Sequence, residues 1–201
     1  MMISGVSVTP MQQIYSVSES PVKQETAWKI NTSNPGKLTE FERLFHKFNA
    51  NISSTRIDLK EIKADPISVA VHKASQVDEG VLVEDTSLNI EGADVGINVR
   101  WLMDHLPEYA GRKASWVVLL ACRKGEEVYV YEGKVEGSIV LPRGEGGFGF
   151  DPVFLPDGAS QTLAQDKPDT VNARAKAVES FLTGEPIVKK PPITNWEGEW
   201  Q

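Results

Sequence analysis

The sequence is poor in the residues that carry redox and zinc chemistry. Only one of its 201 residues is a cysteine, Cys122, so no disulfide can close within the chain and a cysteine-based zinc site is excluded. Three histidines, His46, His72 and His105, stand too far apart to form a metal-ligand motif. Long hydrophobic runs are missing as well. The longest apolar stretch, Trp116 to Cys122, has 7 residues, whereas a membrane-spanning helix needs about 20. No basic start followed by an apolar run opens the chain, which reads against a signal peptide and makes the cytoplasm the expected location. Positive charge is in deficit: 21 Lys and Arg face 28 Asp and Glu, a net charge of −7. Such a balance disfavours nucleic acid as a partner, because phosphate backbones are held by clustered Lys and Arg. A small anionic ligand in a local basic pocket remains compatible with it.

What is present is globular. Hydrophobic residues make up 40% and charged residues 24% of the chain, enough to bury one sizeable core. Residues 1–27 read as a weakly structured extension, 28–183 as the folded domain, and 184–201 as a Pro- and Trp-bearing tail. Trp196 and Trp200 imply that this tail docks, on its own domain or across a partner subunit. Within the domain the pattern is mixed α/β. Strands are expected at 28–32, 57–59, 81–83, 116–122, 127–136 and 138–141. Leu38, Phe41, Leu44, Phe45 and Phe48 mark one amphipathic helix, and Asp65-Pro66 caps a second that carries Ala70, Val71 and Ala74. A third spans Val95 to Leu106, stopped by Pro107, and a last one runs from Val171 to Leu182 and ends at Gly184. Consecutive strands between 116 and 141, with no helix between them, imply an antiparallel portion of the sheet.

Five segments carry candidate chemistry. Thr32-Ser33-Asn34-Pro35-Gly36-Lys37 lies between a strand and a helix. It reads either as an ordinary capped turn or as an anion loop, in which backbone N–H groups, the helix dipole and Lys37 face a phosphate. Glu84-Asp85-Thr86 follows an apolar strand, where α/β sheets present ligand-binding groups. Neighbouring carboxylates on one strand point to opposite faces, so one suits Mg²⁺ and the other an orienting role; a simple strand-end turn is the alternative. Glu61 is a further candidate metal ligand and Lys73 a further candidate cation, each also readable as a solvated surface residue. The run Arg143 to Pro152 holds four glycines and two aromatics. Its backbone can approach a flat ligand, with Phe148 or Phe150 stacking on a base and Asp151 accepting hydrogen bonds, or it can be a turn with two core aromatics. Arg174, in Asn172-Ala173-Arg174, either snorkels from an apolar helix stripe or meets an anion in a cleft.

Taken together, these segments resemble the inosine/xanthosine triphosphate pyrophosphatase family. The family's T-x-N-x-x-K stands as Thr32, Asn34 and Lys37, its acidic element as Val83-Glu84-Asp85-Thr86, and its F-G-[WYF]-D-P-x-F loop as Phe148 to Phe154. The resemblance implies an elongated mixed sheet with flanking helices, two lobes around a central nucleotide cleft, and a homodimer. It implies Mg²⁺-dependent hydrolysis of deaminated purine nucleoside triphosphates to monophosphate and pyrophosphate. Thr32, Ser33, Asn34, Lys37 and Lys73 would hold the triphosphate, and Glu61, Asp85 and Glu84 the metal. Asp85 would be the base, with Lys37 assisting catalysis. Thr86, Phe148, Gly149, Phe150, Asp151, Asn172 and Arg174 would contact substrate. The family's Ser-His-Arg is replaced by Asn172-Ala173-Arg174, and Lys167 stands displaced from the usual base-binding lysine. A weakly active nucleotide-binding homologue and a pyrophosphatase for another unusual nucleotide are the alternative readings.

Overall fold

The computed structural model describes residues 26–93 and 98–201. Its centre is a mixed sheet of seven strands. β1 (Thr26–Asn31) pairs in parallel with β2 (Ala50–Thr55) and with β3 (Val81–Ile90). From β3 the sheet turns antiparallel, through β4 (Lys113–Lys124) and β5 (Glu127–Ile139) to β6 (Phe154–Pro156), and β7 (Val188–Lys190) adds to the other half of β5. The strand order is β2-β1-β3-β4-β5-β6.

Among the described residues the α-helices are α1 (Pro35–His46), α2 (Pro66–Ser75), the short α3 (Val99–Asp104) and α4 (Leu106–Tyr109), and α5 (Ala173–Thr183). Their ends are set by local chemistry. Asn34 and Asp65 accept from the N–H groups of Lys37 and Ser68, each followed by proline in the first turn. Asn172 caps α5 and Gly184, at φ 74°, closes it in the left-handed region where a side chain is strained.

Strand alternation then builds two cores. Leu82, Leu88, Trp116, Val118, Leu120 and Tyr131 face α1 and α5, whose Phe41, Phe45, Val178 and Phe181 cover them. Val81, Val83, Val117, Leu119, Val128 and Val130 face the other way, under Ala70, Val71 and Ala74 of α2. Gly133 permits the first packing: a Cβ there would sit 1.9 Å from the Ala173 carbonyl oxygen.

Several expected elements moved. The strand expected at 57–59 lies at Ala50–Thr55, and Ile57 is half exposed in a segment without regular structure. Position Val95 of the expected third helix lies outside the described residues, and Pro107 sits in the first turn of α4 rather than ending a long helix. The strand expected at 138–141 is the end of β5, which runs unbroken to Ile139. Among the described residues no helix is long and apolar enough to cross a membrane.

Candidate functional site

The parallel strands β1 and β3 deliver the site. At the end of β1 the chain leaves the sheet through Thr32 and Ser33 and enters α1 at Asn34. The Asn34 side chain accepts from Lys37 N–H at 3.1 Å, and the Asn34 backbone N–H donates to Thr32 Oγ1 at 3.2 Å. This folds the loop into a concave turn at a helix N-terminus, with the Lys37 side chain on its rim. A void of about 250 Å³ opens there, lined by Thr32, Ser33, Asn34, Lys37, Glu61 and Lys73 among others.

β3 sorts the adjacent acids onto opposite faces. Glu84 turns toward α1 and α5, and Asp85 toward α2. Glu84 is buried, with Oε2 on Lys37 Nζ at 2.9 Å and Oε1 on Arg174 at 3.1 Å and on the Thr86 hydroxyl. Burial pushes its carboxyl up, but Arg174, Lys37 and Thr86 pull it further down, to about 2. Both Glu84 oxygens are engaged by side chains of the α1–α5 face, while Glu84 also lines the void that holds Glu61 and Lys73. Asp85 behaves in the reverse sense. Burial raises its carboxyl, Lys73 opposes that rise, and the neighbouring charges of Glu61 and Glu84 add to it.

Lys73 gathers the second set. Its Nζ lies 3.0 Å from Glu61 Oε1 and 3.7 Å from Asp85 Oδ1, and it donates to the Glu84 carbonyl at 2.8 Å. Glu61 reaches this point from the irregular segment 56–64, which side chains tie down. Asn31 exchanges hydrogen bonds with the backbone of Ile57 at 2.9 and 2.8 Å, and Gln76 does so with Lys60 at 3.2 and 2.8 Å. Glu61 and Asp85 are thus two carboxylates converging on one ammonium at the edge of the anion loop. No group of three or more metal-ligating side chains forms among the described residues. Two carboxylates still fit Mg²⁺, which is usually held by one or two acids together with substrate phosphates and water.

A second void, of about 310 Å³, shares Asn34 and Lys37 with the first and is lined by Phe148, Phe150, Asp151, Trp116 and Arg174. Phe150 packs edge-on against Trp116 at 5.9 Å and is buried, so it anchors the glycine-rich loop. Phe148 is the half-exposed ring that faces the void, with the Arg174 guanidinium 5.3 Å and Lys167 Nζ 4.9 Å from its centroid. Asp151 accepts from the Phe148 N–H at 3.0 Å. Gly147, at φ 70°, is required here, since a Cβ would lie 2.1 Å from Asp151 Oδ2. Arg174 does not snorkel. It is buried, forked between Glu84 and Glu40, with Glu40 Oε2 at 2.8 Å.

Lys167 and Glu40 join the site although neither is among the candidate residues. Lys167 pairs with Asp151 at 3.2 Å and with Glu40 at 3.5 Å, and the Asn172 side chain donates to Glu40. Lys167 was visible only as a displaced lysine near the loop. Glu40 carried one signal, its place one turn beyond Lys37 on the same helix face. Ala173 is fully buried in the core beneath α5.

A sequence model of the Ham1 family matches residues 28–184. The chain is 32% identical over 170 residues to an inosine triphosphate pyrophosphatase of Yarrowia lipolytica, an alignment covering 75% of this chain and 90% of that protein. It is 32% identical over 184 residues to a dITP/XTP pyrophosphatase of Pyrobaculum aerophilum, covering 80% of this chain and 98% of the relative. Among solved structures, a nucleoside-triphosphatase / dITP/XTP pyrophosphatase from Mycobacterium abscessus superposes with a TM-score of 0.55 at 24% identity, over 78% of this chain and 97% of that one, a likeness of fold.

Proposed function

Because this chain belongs to the Ham1 family, we propose that it is a nucleoside triphosphate pyrophosphatase that cleaves non-canonical purine nucleotides (ITP, dITP, XTP) to monophosphate and pyrophosphate. The observation that carries this reading is the pair of joined voids. One presents an anion loop, Lys37, Lys73 and Glu61, with Asp85 beside Lys73 on an adjoining void, and the other presents an aromatic ring with polar groups around it. The two meet at Asn34 and Lys37. A nucleotide laid across that junction would put its phosphates on the anion-loop side and its base on the side of the glycine-rich loop.

In this reading Thr32, Ser33 and Asn34 offer backbone and side-chain donors to the triphosphate, and Lys37 and Lys73 offer positive charge. Glu61 and Asp85 would hold Mg²⁺, which neutralises charge on the phosphoryl oxygens when bound. Asp85 takes a proton from water as its oxygen attacks the α-phosphorus. The bond from that phosphorus to the bridging oxygen breaks, and pyrophosphate leaves toward Lys37 and Lys73. Burial and nearby acids raise the Asp85 carboxyl, the direction a general base needs. Glu84 acts as a fixed counter-ion that aims Lys37 and Arg174 rather than as a ligand. Phe148 stacks on the base, and Asp151, Lys167 and Arg174 surround its edge. Ala173 stands in place of the family's histidine, is fully buried and lies outside the lining of the base-side void, so a relaxed preference among bases is expected.

Release of pyrophosphate from ITP, dITP, XTP and the standard triphosphates with Mg²⁺, with Asp85→Asn as control, tests the proposal. Pyrophosphate from the deaminated purines, lost in Asp85→Asn, is the expected result. Release of single phosphate, or of nothing from any of them, overturns it.

A further inference from the structure

The family match ends at residue 184, yet the chain beyond it returns to the site. Ile187 N–H donates to the Val130 carbonyl at 2.8 Å, and β7 then runs along β5. Val188 and Ile193 pack against the core under α2, and Ile193 N–H donates to the Ser75 hydroxyl at 3.0 Å. The segment passes around α2 and arrives at Ile62, where Trp200 forms an antiparallel bridge. Of the two tryptophans expected to dock, Trp200 does so on its own chain, while Trp196 folds against Gly198 and Glu199 of its own segment. Trp200 sets its ring edge-on to His72 of α2 at 5.4 Å, and Trp196 Nε1 closes the approach by donating to the Glu199 carbonyl at 2.9 Å.

This contact brackets Glu61. The Lys63 N–H donates to the Glu199 carbonyl at 2.9 Å, the Gln201 N–H to the Glu61 carbonyl at 3.0 Å, and Gln201 Nε2 to the Ile62 carbonyl at 2.9 Å. Glu61 sits in an irregular stretch of the site. Asn31 hydrogen-bonds its beginning, Gln76 its middle, and this returning segment its end. Without it, the backbone groups on either side of Glu61 lose their partners, and the side chain loses its fixed reach to Lys73. Trp200 and Gln201 also wall a void of about 760 Å³ that contains Glu61 and Asp85.

We propose that residues 185–201 are a strap in cis that positions Glu61 beside Asp85 and Lys73, so that the metal–triphosphate complex meets a preformed pair of carboxylates. Trp200 and Gln201 are positioning residues: they act through the backbone of Glu61 and Ile62. The inference rests on the reading of Glu61 and Asp85 as the metal-holding acids. It places a determinant of metal affinity outside the part of the chain matched by its family.

The test compares the wild-type chain with Gln201→Ala and with Trp200→Ala/Gln201→Ala in three measurements. These are hydrogen exchange over 56–64, Mn²⁺ affinity by electron paramagnetic resonance with α,β-methylene dITP, and kcat for dITP against Mg²⁺ concentration. The expected result is faster exchange at 56–64 and Mn²⁺ affinity lowered about tenfold in the double variant, the scale on which supporting groups act on metal ligands. The apparent KM for Mg²⁺ rises in step, while kcat at saturating Mg²⁺ returns to within about twofold of wild type. A lower Tm with unchanged Mn²⁺ affinity overturns the proposal and leaves the segment a purely structural brace. Wild-type protein that binds the Mn²⁺–analogue but releases no pyrophosphate refutes the proposed reaction, and the effect of the strap is still read from Mn²⁺ affinity. Wild-type protein that binds no Mn²⁺ with the analogue refutes the metal role of Glu61 and this inference with it.

Discussion

Arg174→Met isolates the buried charge network from the chemistry it serves. The side chains of Arg174 and Glu84 are 2% and 3% exposed, and the guanidinium also holds Glu40. Methionine keeps much of the length and lies well against Phe148 and Trp116, so the perturbation is chiefly the lost charge. Breaking a buried pair from one side costs about 3–5 kcal/mol, because the partner is left uncompensated. The carboxyl itself gives a second figure. At about 1.4 kcal/mol per tenfold change in proton affinity, its fall from 4.5 to about 2 corresponds to roughly 3 kcal/mol favouring the charged form. The charge of Arg174 is the largest single downward pull, while Lys37 and Thr86 remain in the variant. A loss of about 3 kcal/mol at pH 7 follows, measured by urea denaturation without nucleotide. The sign with pH is fixed by the depressed carboxyl. In the wild type the contribution of Glu84 is fully present above about pH 4.5 and is lost only as pH falls through about 2. In the variant burial pushes the carboxyl back up, so it protonates earlier and sheds its penalty. The gap between the two proteins therefore narrows as pH falls from 7 toward 3. A loss below about 1 kcal/mol at pH 7, or a gap that stays constant over that range, would refute the reasoning.

Gly133→Ala drives a Cβ to 1.9 Å from the Ala173 carbonyl and 2.4 Å from the Ala177 nitrogen, both backbone atoms that cannot yield. It should cost about 3 kcal/mol or more by thermal or urea unfolding, and a cost under about 1 kcal/mol would mean that α5 floats on β5. Asn172→Ala removes the acceptor of the Arg174 and Ala175 N–H groups and the donor to Glu40. It should lower stability by about 1–2 kcal/mol, and Asn172→Asp, which keeps the cap but adds charge against Glu40, should restore less than half of that. Cys122 is fully buried and burial pushes its thiol up. A thiol reagent at pH 8 should label it only at the rate of unfolding, and prompt labelling of the native protein would contradict the core assignment.

Much of this was legible because short-range chemistry marks it. Asp65-Pro66 announces the start of α2 and Gly184 the end of α5, whereas the apolar triplet Val81–Val83 marks only the first part of β3, which runs on through the acids to Ile90. The failures are equally physical. β2 buries only Ala50 and Ile52, and as an edge strand it pairs on one side, so two apolar residues in alternation were outweighed by Ile57 and Leu59 nearby. Ser138 to Leu141 looked separate because Gly137 interrupts the run. The structure uses that glycine inside β5, where a Cβ would lie 2.5 Å from the Leu155 carbonyl. Glu40 meets Arg174 across 134 positions, a pairing that helix periodicity on either side cannot encode. The spacing of Trp196 and Trp200 signalled docking, but the destination depends on the backbone groups left open at 61–63, which no local pattern displays.

The neighbouring residues Glu84 and Asp85 show how the fold assigns roles that composition leaves equal. Both are carboxylates in the interior of β3, and pleating alone separates them. The face that receives Glu84 also carries Arg174 and Lys37, so its charge is neutralised twice over and its carboxyl held at about 2. Such a group stays an anion throughout the working pH range and cannot exchange a proton; its use is to fix two cations. The face that receives Asp85 offers Lys73, already shared with Glu61 at the shorter distance of 3.0 Å against 3.7 Å. Burial there is not fully compensated, and the carboxyl rises. Environments that push two acids in opposite directions separate a structural anion from a proton acceptor. On that ground Asp85, rather than the more buried Glu84, is the residue whose amide variant should abolish turnover while leaving Lys37 and Arg174 in place.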